Sequence, residues 1–431
     1  MDVSPEALVS ETPEPAAPTP LTEPREGVPA VLESAEDVAA LARRIAGGTG
    51  PLAVDTERAS GYRYSNRAYL IQLRRAGSGS ALLDPTTTGT LQLLAEVINP
   101  LEWVLHSADQ DLPCLAELGL RPARLYDTEL AGRLANLPRV NLAAMVEHQL
   151  GLSLAKGHGA ADWSTRPLPD NWLNYAALDV EVLLELRDAI DADLASQGKA
   201  DWAAQEFEHI RISPPPGPKP DRWRRTSDIH NARGARQLAA VRELWLARDE
   251  VAAQIDRAPG RVLPDSAIVA AAVADPKTAA ELQALKVFGG PRQKRRSGLW
   301  LDALARARAL PTRELPTLKP VGGIPAPNRW SQHRPEAAHR LSTARKELAA
   351  VSEQVAIPAE NLLSPKLLRE LCWEGLQTTA DVSAEDRTAD EWTAAVQEAL
   401  IAGQAREWQR ALVTPALVTA FTAPVPAEPA S

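Results

Sequence analysis

Cysteine is nearly missing from this chain: among 431 residues there are two, Cys114 and Cys372, far apart in sequence. Such a pair builds neither a disulfide framework nor a Cys-x-x-Cys zinc pattern, so a reducing compartment, the cytoplasm, is expected. No run approaches the ~18 apolar residues that a membrane span needs, and the first residues lack a cationic start followed by an apolar core. Export and membrane anchoring are therefore not expected. Histidine pairs at metal spacing, a Gly-x-x-x-x-Gly-Lys-Ser/Thr loop and a Gly-x-Ser-x-Gly elbow are also missing, so none of those chemistries has a candidate here.

What is present, 45% hydrophobic and 24% charged residues, suits a globular protein of several domains with ample core. The formal net charge of −9 argues at first against a nucleic-acid partner. Its distribution weakens that objection: residues 1–33 hold seven acids against Arg25, so most of the excess lies in one segment. Two stretches are locally basic. Seven arginines or lysines face two acids from Arg211 to Arg236, and Lys286, Arg292, Lys294, Arg295 and Arg296 fall within one short segment.

Residues 1–28, rich in Pro, Glu, Thr and Ala, read as a disordered tail. Ser34 with Asp37 fits an N-cap opening a helix through Val38, Leu41 and Ile45 to Gly47-Gly48. Leu52 to Glu57, Ala68 to Leu73 and Ala81 to Leu83 read as three strands of a meander. Strand and helix then alternate: a strand Trp103–His106, a helix from near Ser107 carrying Asp111, and a long helix from Asp170 through Tyr175, Leu178, Val182 and Leu186. An antiparallel opening followed by alternation predicts an α/β domain with a mixed sheet over 29–212.

Prolines from Pro214 to Pro220 exclude helix and central strand, marking a basic linker over 213–228. Helical patterns follow at 229–310 and 335–412, separated by a second proline-rich linker at 311–334 and followed by a tail, 413–431. The two helical segments repeat: Ala258 to Leu263 resembles Ile357 to Leu362, with Leu263 matched to Leu362 and Ile268 to Leu367.

The chemistry-bearing residues start with Asp55 and Glu57, which share one strand face at a spacing where like charges repel unless a cation sits between them. A lone pair of this kind is also what a solvated strand end looks like. Asp111 stands at a helix start after a strand, where α/β sheets bind ligands, though a helix-start charge needs no ligand. Tyr175 and Asp179 share a helical face. Four carboxylates converging on one spot would bind two divalent cations, and hard oxygen ligands favour Mg²⁺ or Mn²⁺.

Ala53 to Glu57, His106 to Leu112 and Tyr175 to Val180 resemble the three ordered exonuclease motifs of the DEDD superfamily, in its tyrosine-bearing branch. Tyr126-Asp127-Thr128, Lys156, Asp162-Trp163 and Arg166-Pro167-Leu168 are similar to the connecting phrases of bacterial ribonuclease D. The helical segments resemble HRDC domains, two of which ribonuclease D carries. The resemblance implies a ribonuclease H-like mixed sheet with flanking helices, followed by two small all-α HRDC-like domains. It assigns metal binding to Asp55, Glu57, Asp111 and Asp179, and orientation of the attacking water to Tyr175; Asp109 is a nearby decoy for Asp111. It also implies a 3′–5′ exoribonuclease acting on RNA with a free 3′ end, such as transfer RNA precursors or other structured RNAs, with no membrane and no obligate protein partner.

Two readings stay open beside it: a DNA exonuclease of the same superfamily, and an RNA-binding scaffold with a silent site. For gripping RNA, single strands need aromatics and cations. Thr56 and His106 sit within the motifs, and the loop after the first motif supplies Tyr62, Arg63, Tyr64 and Arg67. The helical segments supply Arg224, Arg225, Lys294, Arg295 and Arg296, while the second of them, holding Glu347, Glu353, Glu374, Asp381, Glu385, Asp386, Asp390 and Glu391, is expected to pack or position.

Overall fold

The computed structural model describes residues 17–155, 157, 159–215, 217, 219–318, 323–376 and 387–425. Lys156, Asp381, Glu385 and Asp386 lie outside the described residues, as does most of the expected N-terminal tail.

The described part of that tail is not disordered. Strand β1 (Thr19–Leu21) pairs in parallel with a distant strand, and Arg25 reaches Glu181 and Glu185, so tertiary partners order a segment whose composition offers no core. After β2 (Val31–Leu32), helix α1 (Ala35–Ala46) starts at Ser34 with a capping box closed by Asp37 and buries Val38, Leu41, Ala42 and Ile45. Strands β3 (Thr49–Arg58), β4 (Ala68–Ala76) and β5 (Gly79–Leu83) form the antiparallel meander. Helix α2 (Gln92–Ile98), strand β6 (Glu102–Leu105), helix α3 (Leu112–Glu117), strand β7 (Arg124–Asp127) and helices α4 (Thr128–Leu134) and α5 (Leu142–Leu150) supply the alternating half. Strand β8 (Leu152–Leu154) is the partner of β1.

Among the described residues six strands make one mixed sheet, ordered β2-β5-β4-β3-β6-β7, in which β3 meets β4 antiparallel and β6 parallel. Trp103 in β6 is fully buried, and its indole N–H donates to the Ile98 carbonyl at 2.8 Å, so this large core side chain leaves no polar atom unmatched. The single long helix expected from Asp170 is two helices, α6 (Asp170–Glu181) and α7 (Leu183–Ser196), meeting at Val182. The apolar periodicity runs across the joint, which is why sequence spacing misses it. Helix α8 (Ala200–Ile212) closes the domain.

The first helical module opens with α9 (Ala235–Gln254), a short α10 (Pro259–Val262) and α11 (Asp265–Ala274). The second repeats this plan with helices Pro335–Val355, Ala359–Leu362 and Pro365–Glu374. The structural register shifts the expected match by one residue. Asp256 and Ala356 both take left-handed backbone, Leu263 and Leu363 are both extended, and Ile268 and Leu368 are both buried, so Leu263 answers to Leu363 rather than Leu362. The last described helix, Glu407–Thr422, also runs well past the expected boundary at 412. No helix among the described residues is long and apolar enough to cross a membrane.

The second module docks on α8. The indoles of Trp202 and Trp408 stack with centroids 5.3 Å apart, and buried Glu206 accepts from Arg406 Nε at 2.6 Å and Trp408 Nε1 at 2.9 Å. Removing this carboxylate strands a guanidinium and an indole N–H away from water. Glu206→Ala should therefore lower stability by about 3 kcal/mol in urea denaturation; a loss under roughly 0.5 kcal/mol, the scale of an ordinary surface change, would show that the indole stack alone holds the module.

Candidate active site

The site is built where the sheet opens. β3 pairs with β6 only at Leu52 and Ala53; beyond that the two parallel strands part, and β6 ends at Leu105. Crevices beyond the carboxyl ends of parallel strands are where α/β sheets hold ligands. The end of β3 therefore faces the gap unpaired on one side. Asp55 and Glu57, two residues apart on the pleat, stand on one face. A register shift between Glu57 and Arg58 against β4 then ends the regular ladder and re-aims the chain.

Two further elements bring acids to the gap. The turn after β6 passes through Ser107 in left-handed backbone and a 3₁₀ turn, Ala108–Gln110, which sets buried Asp111 at the start of α3. On the other side, α6 contributes Tyr175 and Asp179, one helical turn apart, with the phenol hydrogen-bonded to the carboxylate. Helix α6 is locked by Glu181, fully buried and bonded to Arg74 Nη1 at 2.8 Å.

Oxygens of Asp55, Glu57 and Asp179 lie within 4.8 Å of one another. Asp111 borders the same cavity, of about 250 Å³, but is not part of that triad. Its Oδ1 accepts from Thr56 Oγ1 at 2.5 Å and stands 3.8 Å from Arg58 Nη2. Burial, followed by repulsion from Asp111, Asp179 and Glu57, raises the Asp55 carboxyl well above the usual carboxylate range. Burial and the neighbouring acids push Glu57 up to about 8, and burial raises Asp179 to about 7 and Asp111 to about 6. Burial also raises the Tyr175 phenol, so it stays protonated, and lowers His106 to about 4, so it stays neutral. Oxygen-only donors at this spacing, held where they repel, fit a hard divalent cation.

The remaining sequence candidates scatter. His106 lines the cavity, held by Thr128 Oγ1 at 2.9 Å. Asp109 lines a different cavity with Pro113 and Arg211. Tyr62, Arg63, Tyr64 and Arg67 do not border the carboxylate cavity; they are engaged within the chain. Tyr64 bonds Asp249 through its hydroxyl and Asp256 through its backbone N–H, Arg67 faces Asp256, Arg63 donates to Ser164 at 2.8 Å, and Tyr62 lies beneath Arg261. Arg224 covers the Trp223 ring and donates to the Thr317 carbonyl. Arg225 borders a cleft with Lys219 and Arg222. Arg295 and Arg296 border another, and Lys294 borders neither.

Residues not singled out from sequence also enter the site. Arg58, Gln110, Leu142, Gly159 and Leu183 line the cavity. Gly157 lies so close to Tyr175 that an added Cβ would fall on the ring at Cε2, Cζ and Cδ2. The only signal for this close approach was the pair of glycines, Gly157 and Gly159, in the loop before the third motif.

Three family models match successive parts of the chain. A family model described as 3′-5′ exonuclease matches residues 29–195, and the HRDC domain model matches residues 237–304. Residues 323–421 match a model described as the 3′ to 5′ exonuclease C-terminal domain, where a second HRDC-like domain was expected. A ribonuclease D from Acidiphilium cryptum (strain JF-5) is 30% identical over 295 residues, covering 67% of this chain and 74% of the relative. The crystal structure of a protein from Bifidobacterium adolescentis matches with a TM-score of 0.82 at 36% identity, over 94% of this chain and 99% of that one. The structure of Escherichia coli RNase D, an exoribonuclease involved in structured RNA processing, shares the fold with a TM-score of 0.65 at 24% identity, over 91% of this chain and 98% of that chain.

The carboxylate geometry carries a stability cost of its own. Asp55→Asn keeps the shape and removes the charge that Asp179, Glu57 and Asp111 all oppose. In the presence of a chelator it should stabilise the protein by roughly 1 kcal/mol in thermal unfolding, as relief of active-site strain commonly does. A destabilised variant would show that Asp55 is already compensated within the chain.

Proposed function

This chain belongs to the ribonuclease D family and is a 3′–5′ exoribonuclease, and on that premise we propose that Asp55, Glu57, Asp111 and Asp179 hold two divalent cations, Mg²⁺ or Mn²⁺. The observation that carries this reading is the gathering of three carboxylates within 4.8 Å on one cavity that a fourth, Asp111, borders. When bound, the cations would lower the pKa of a water and neutralise charge developing on the scissile phosphate.

The chain's own residues would do the rest. Asp55, Glu57 and Asp179 are fixed by a central strand and a buried helix, so they are held in place before a ligand arrives. Thr56 and Arg58 hold Asp111 at the cavity edge. Tyr175 stays protonated because its burial and the acids around it raise its pKa, so it acts as a hydrogen-bonding guide rather than a base. Donating to Asp179, its oxygen keeps lone pairs with which to accept from a water and aim it. Gly157 leaves room for the ring in that orientation. The products would be nucleoside 5′-monophosphates, released from the 3′ ends of transfer RNA precursors or other structured RNAs. Both cysteines are free and buried, which supports a reducing, cytoplasmic setting.

Incubating 3′-ended RNA with Mg²⁺ or Mn²⁺ should release 5′-mononucleotides, and Asp55→Asn should abolish that release; activity persisting in the variant would end the proposed mechanism. Matched RNA and DNA oligonucleotides should show a preference for RNA, since the 2′-hydroxyl is the group by which a protein tells the two apart. Equal rates would favour the DNA-exonuclease reading. Tyr175→Phe should lower kcat by about a hundredfold, the scale of a lost proton-directing group. Metal affinity, read from thermal shifts on titration, should stay nearly constant. Gly157→Ala leaves every carboxylate in place and should reproduce the same kcat-selective loss by pushing the ring aside; a loss of metal binding in either variant would show the tyrosine's role to be structural.

A further inference from the structure

Against the four acids that border the carboxylate cavity stands a single guanidinium. Among the described residues that line it, Arg58 is the one side chain with a fixed positive charge, since burial keeps His106 neutral. A second, open cavity of about 390 Å³ adjoins the first and adds Ser60, Gly61, Ala160 and Ala161 to its walls. Arg58 is the one cation bordering that cavity too. The two share Thr56, Glu57, Arg58, Gln110 and Gly159, so the guanidinium belongs to the wall between them.

Thr56 and Arg58 alternate with Asp55 and Glu57 along β3, and both reach Asp111. Thr56 has the closer contact. Asp111 Oδ1 accepts from its hydroxyl at 2.5 Å, whereas Arg58 Nη2 stays 3.8 Å from the same oxygen, beyond hydrogen-bond length. The guanidinium is tied at one corner, by Nη1 donating to the Gln110 carbonyl at 2.8 Å. Its Nε and Nη2 make no hydrogen bond among the described residues, and the side chain is 22% exposed. Arg166 shows the contrast: its Nε, Nη1 and Nη2 all donate, to Asp84, Trp163, Thr165 and Tyr69. Arg58 thus keeps a part of its donor fork open beside the acids. Burial raises the Glu57 and Asp111 carboxyls, and the Arg58 charge draws each back down, as expected of a cation facing both.

We propose that Arg58 is a catalytic residue whose open donors grip a non-bridging oxygen of the scissile phosphate. The inference rests on the reading of the carboxylate cavity as a 3′-end exoribonuclease site and deepens it. In that hydrolysis the water oxygen bonds to phosphorus as the P–O3′ bond breaks. One water proton passes to solvent and the departing 3′ oxygen regains one, so the added negative charge falls meanwhile on the phosphate oxygens. Four carboxylates and two divalent cations sum to zero, which leaves the phosphodiester's own charge and that added charge to be answered by the protein. A planar, always charged group matched to phosphate oxygens is suited to answer them. Its place on the shared wall selects the scissile linkage over one further along the strand, because that linkage joins the nucleotide being removed to the remainder.

The test compares the full-length protein with Arg58→Ala and Arg58→Lys. On 3′-ended RNA with Mn²⁺, Arg58→Ala should lower kcat about a hundredfold, the scale of one lost transition-state donor, with KM nearly constant. Arg58→Lys should recover at least about a tenth of the parent kcat, since the charge survives without the fork. A readout independent of turnover is binding of 5′-AMP and of adenosine to each protein in Mn²⁺, because the product carries the phosphate that was cut. Affinity for 5′-AMP should fall about tenfold in Arg58→Ala while adenosine binding stays constant. Mn²⁺ affinity, read from thermal shifts, should be unchanged in both variants. A kcat loss that accompanies lost Mn²⁺ affinity, or one that Arg58→Lys does not relieve, would show that Arg58 only holds Asp111 and overturn the proposal. A raised KM at constant kcat would place the contact upstream and overturn it equally. A fully active Arg58→Ala sinks this inference alone, whereas a parent protein that degrades no RNA sinks the reading of the cavity with it.

Discussion

The fold is arranged around a repulsion. Asp55, Glu57 and Asp179 are held within 4.8 Å of one another on a half-buried cavity, and burial there penalises the charges further. Nothing about that arrangement favours folding, so the surrounding structure must impose it. The strand that carries Asp55 and Glu57 is the centre of the sheet, laddered along its length to β4. The helix that carries Asp179 is fixed two residues later by Glu181, whose fully buried carboxylate is shared between Arg74 and Arg25. A buried ion pair of this kind contributes little net stability over an apolar contact but is strongly destabilising to break. Its effect is to fix the helix in one position, and the acid it positions stands within the same turn.

The two helical modules dock through the same turn, used in two ways. Each has a left-handed residue after its long first helix, followed by a one-turn helix, an extended leucine and a second helix. In the first module that left-handed residue is Asp256, and its carboxylate caps two backbone N–H groups of the loop after β3. In the second it is Ala356, whose carbonyl instead accepts from Lys199 Nζ at 3.1 Å, at the opening of α8. One repeated backbone geometry thus meets the nuclease domain twice, once through a side chain and once through the main chain. The loop that the first module clamps is the one that leaves β3, so this contact links the helical module to the wall of the carboxylate cavity.

Much of this was legible in the sequence, and the limits follow a physical pattern. Local signals were read correctly wherever the determining contacts lie close in sequence: the Ser34 and Asp37 capping box, the alternation that builds β3 to β5, and the spacing that puts Tyr175 and Asp179 on one face. What escaped was set by distant partners. The proline-rich segment before residue 28 reads as disordered because it has no core of its own, yet the Thr19 N–H finds the Gly151 carbonyl and Arg25 finds Glu181. The aromatic and basic loop from Tyr62 to Arg67 has the composition of a strand-gripping surface. Its side chains are instead consumed by Asp249, Asp256 and Ser164, none of which composition could have pointed to. The break at Val182 and the one-residue error in matching the helical repeat have another cause: in apolar runs, neighbouring leucines and valines are interchangeable to a pattern but not to a backbone turn.

Two clusters of like charge stand out among the described residues. Acids gather at the end of β3 with Arg58 at their edge, and arginines gather beside α10 in a cleft that no carboxylate borders. Had folding stability alone governed the placement of charge, more of these groups would be paired, as Arg58 and Asp111 begin to be at 3.8 Å. Instead the two sets stay apart, linked through the hydrogen bond from Arg261 to the Gly61 carbonyl. Each cluster raises the energy of the free protein through repulsion between its own members.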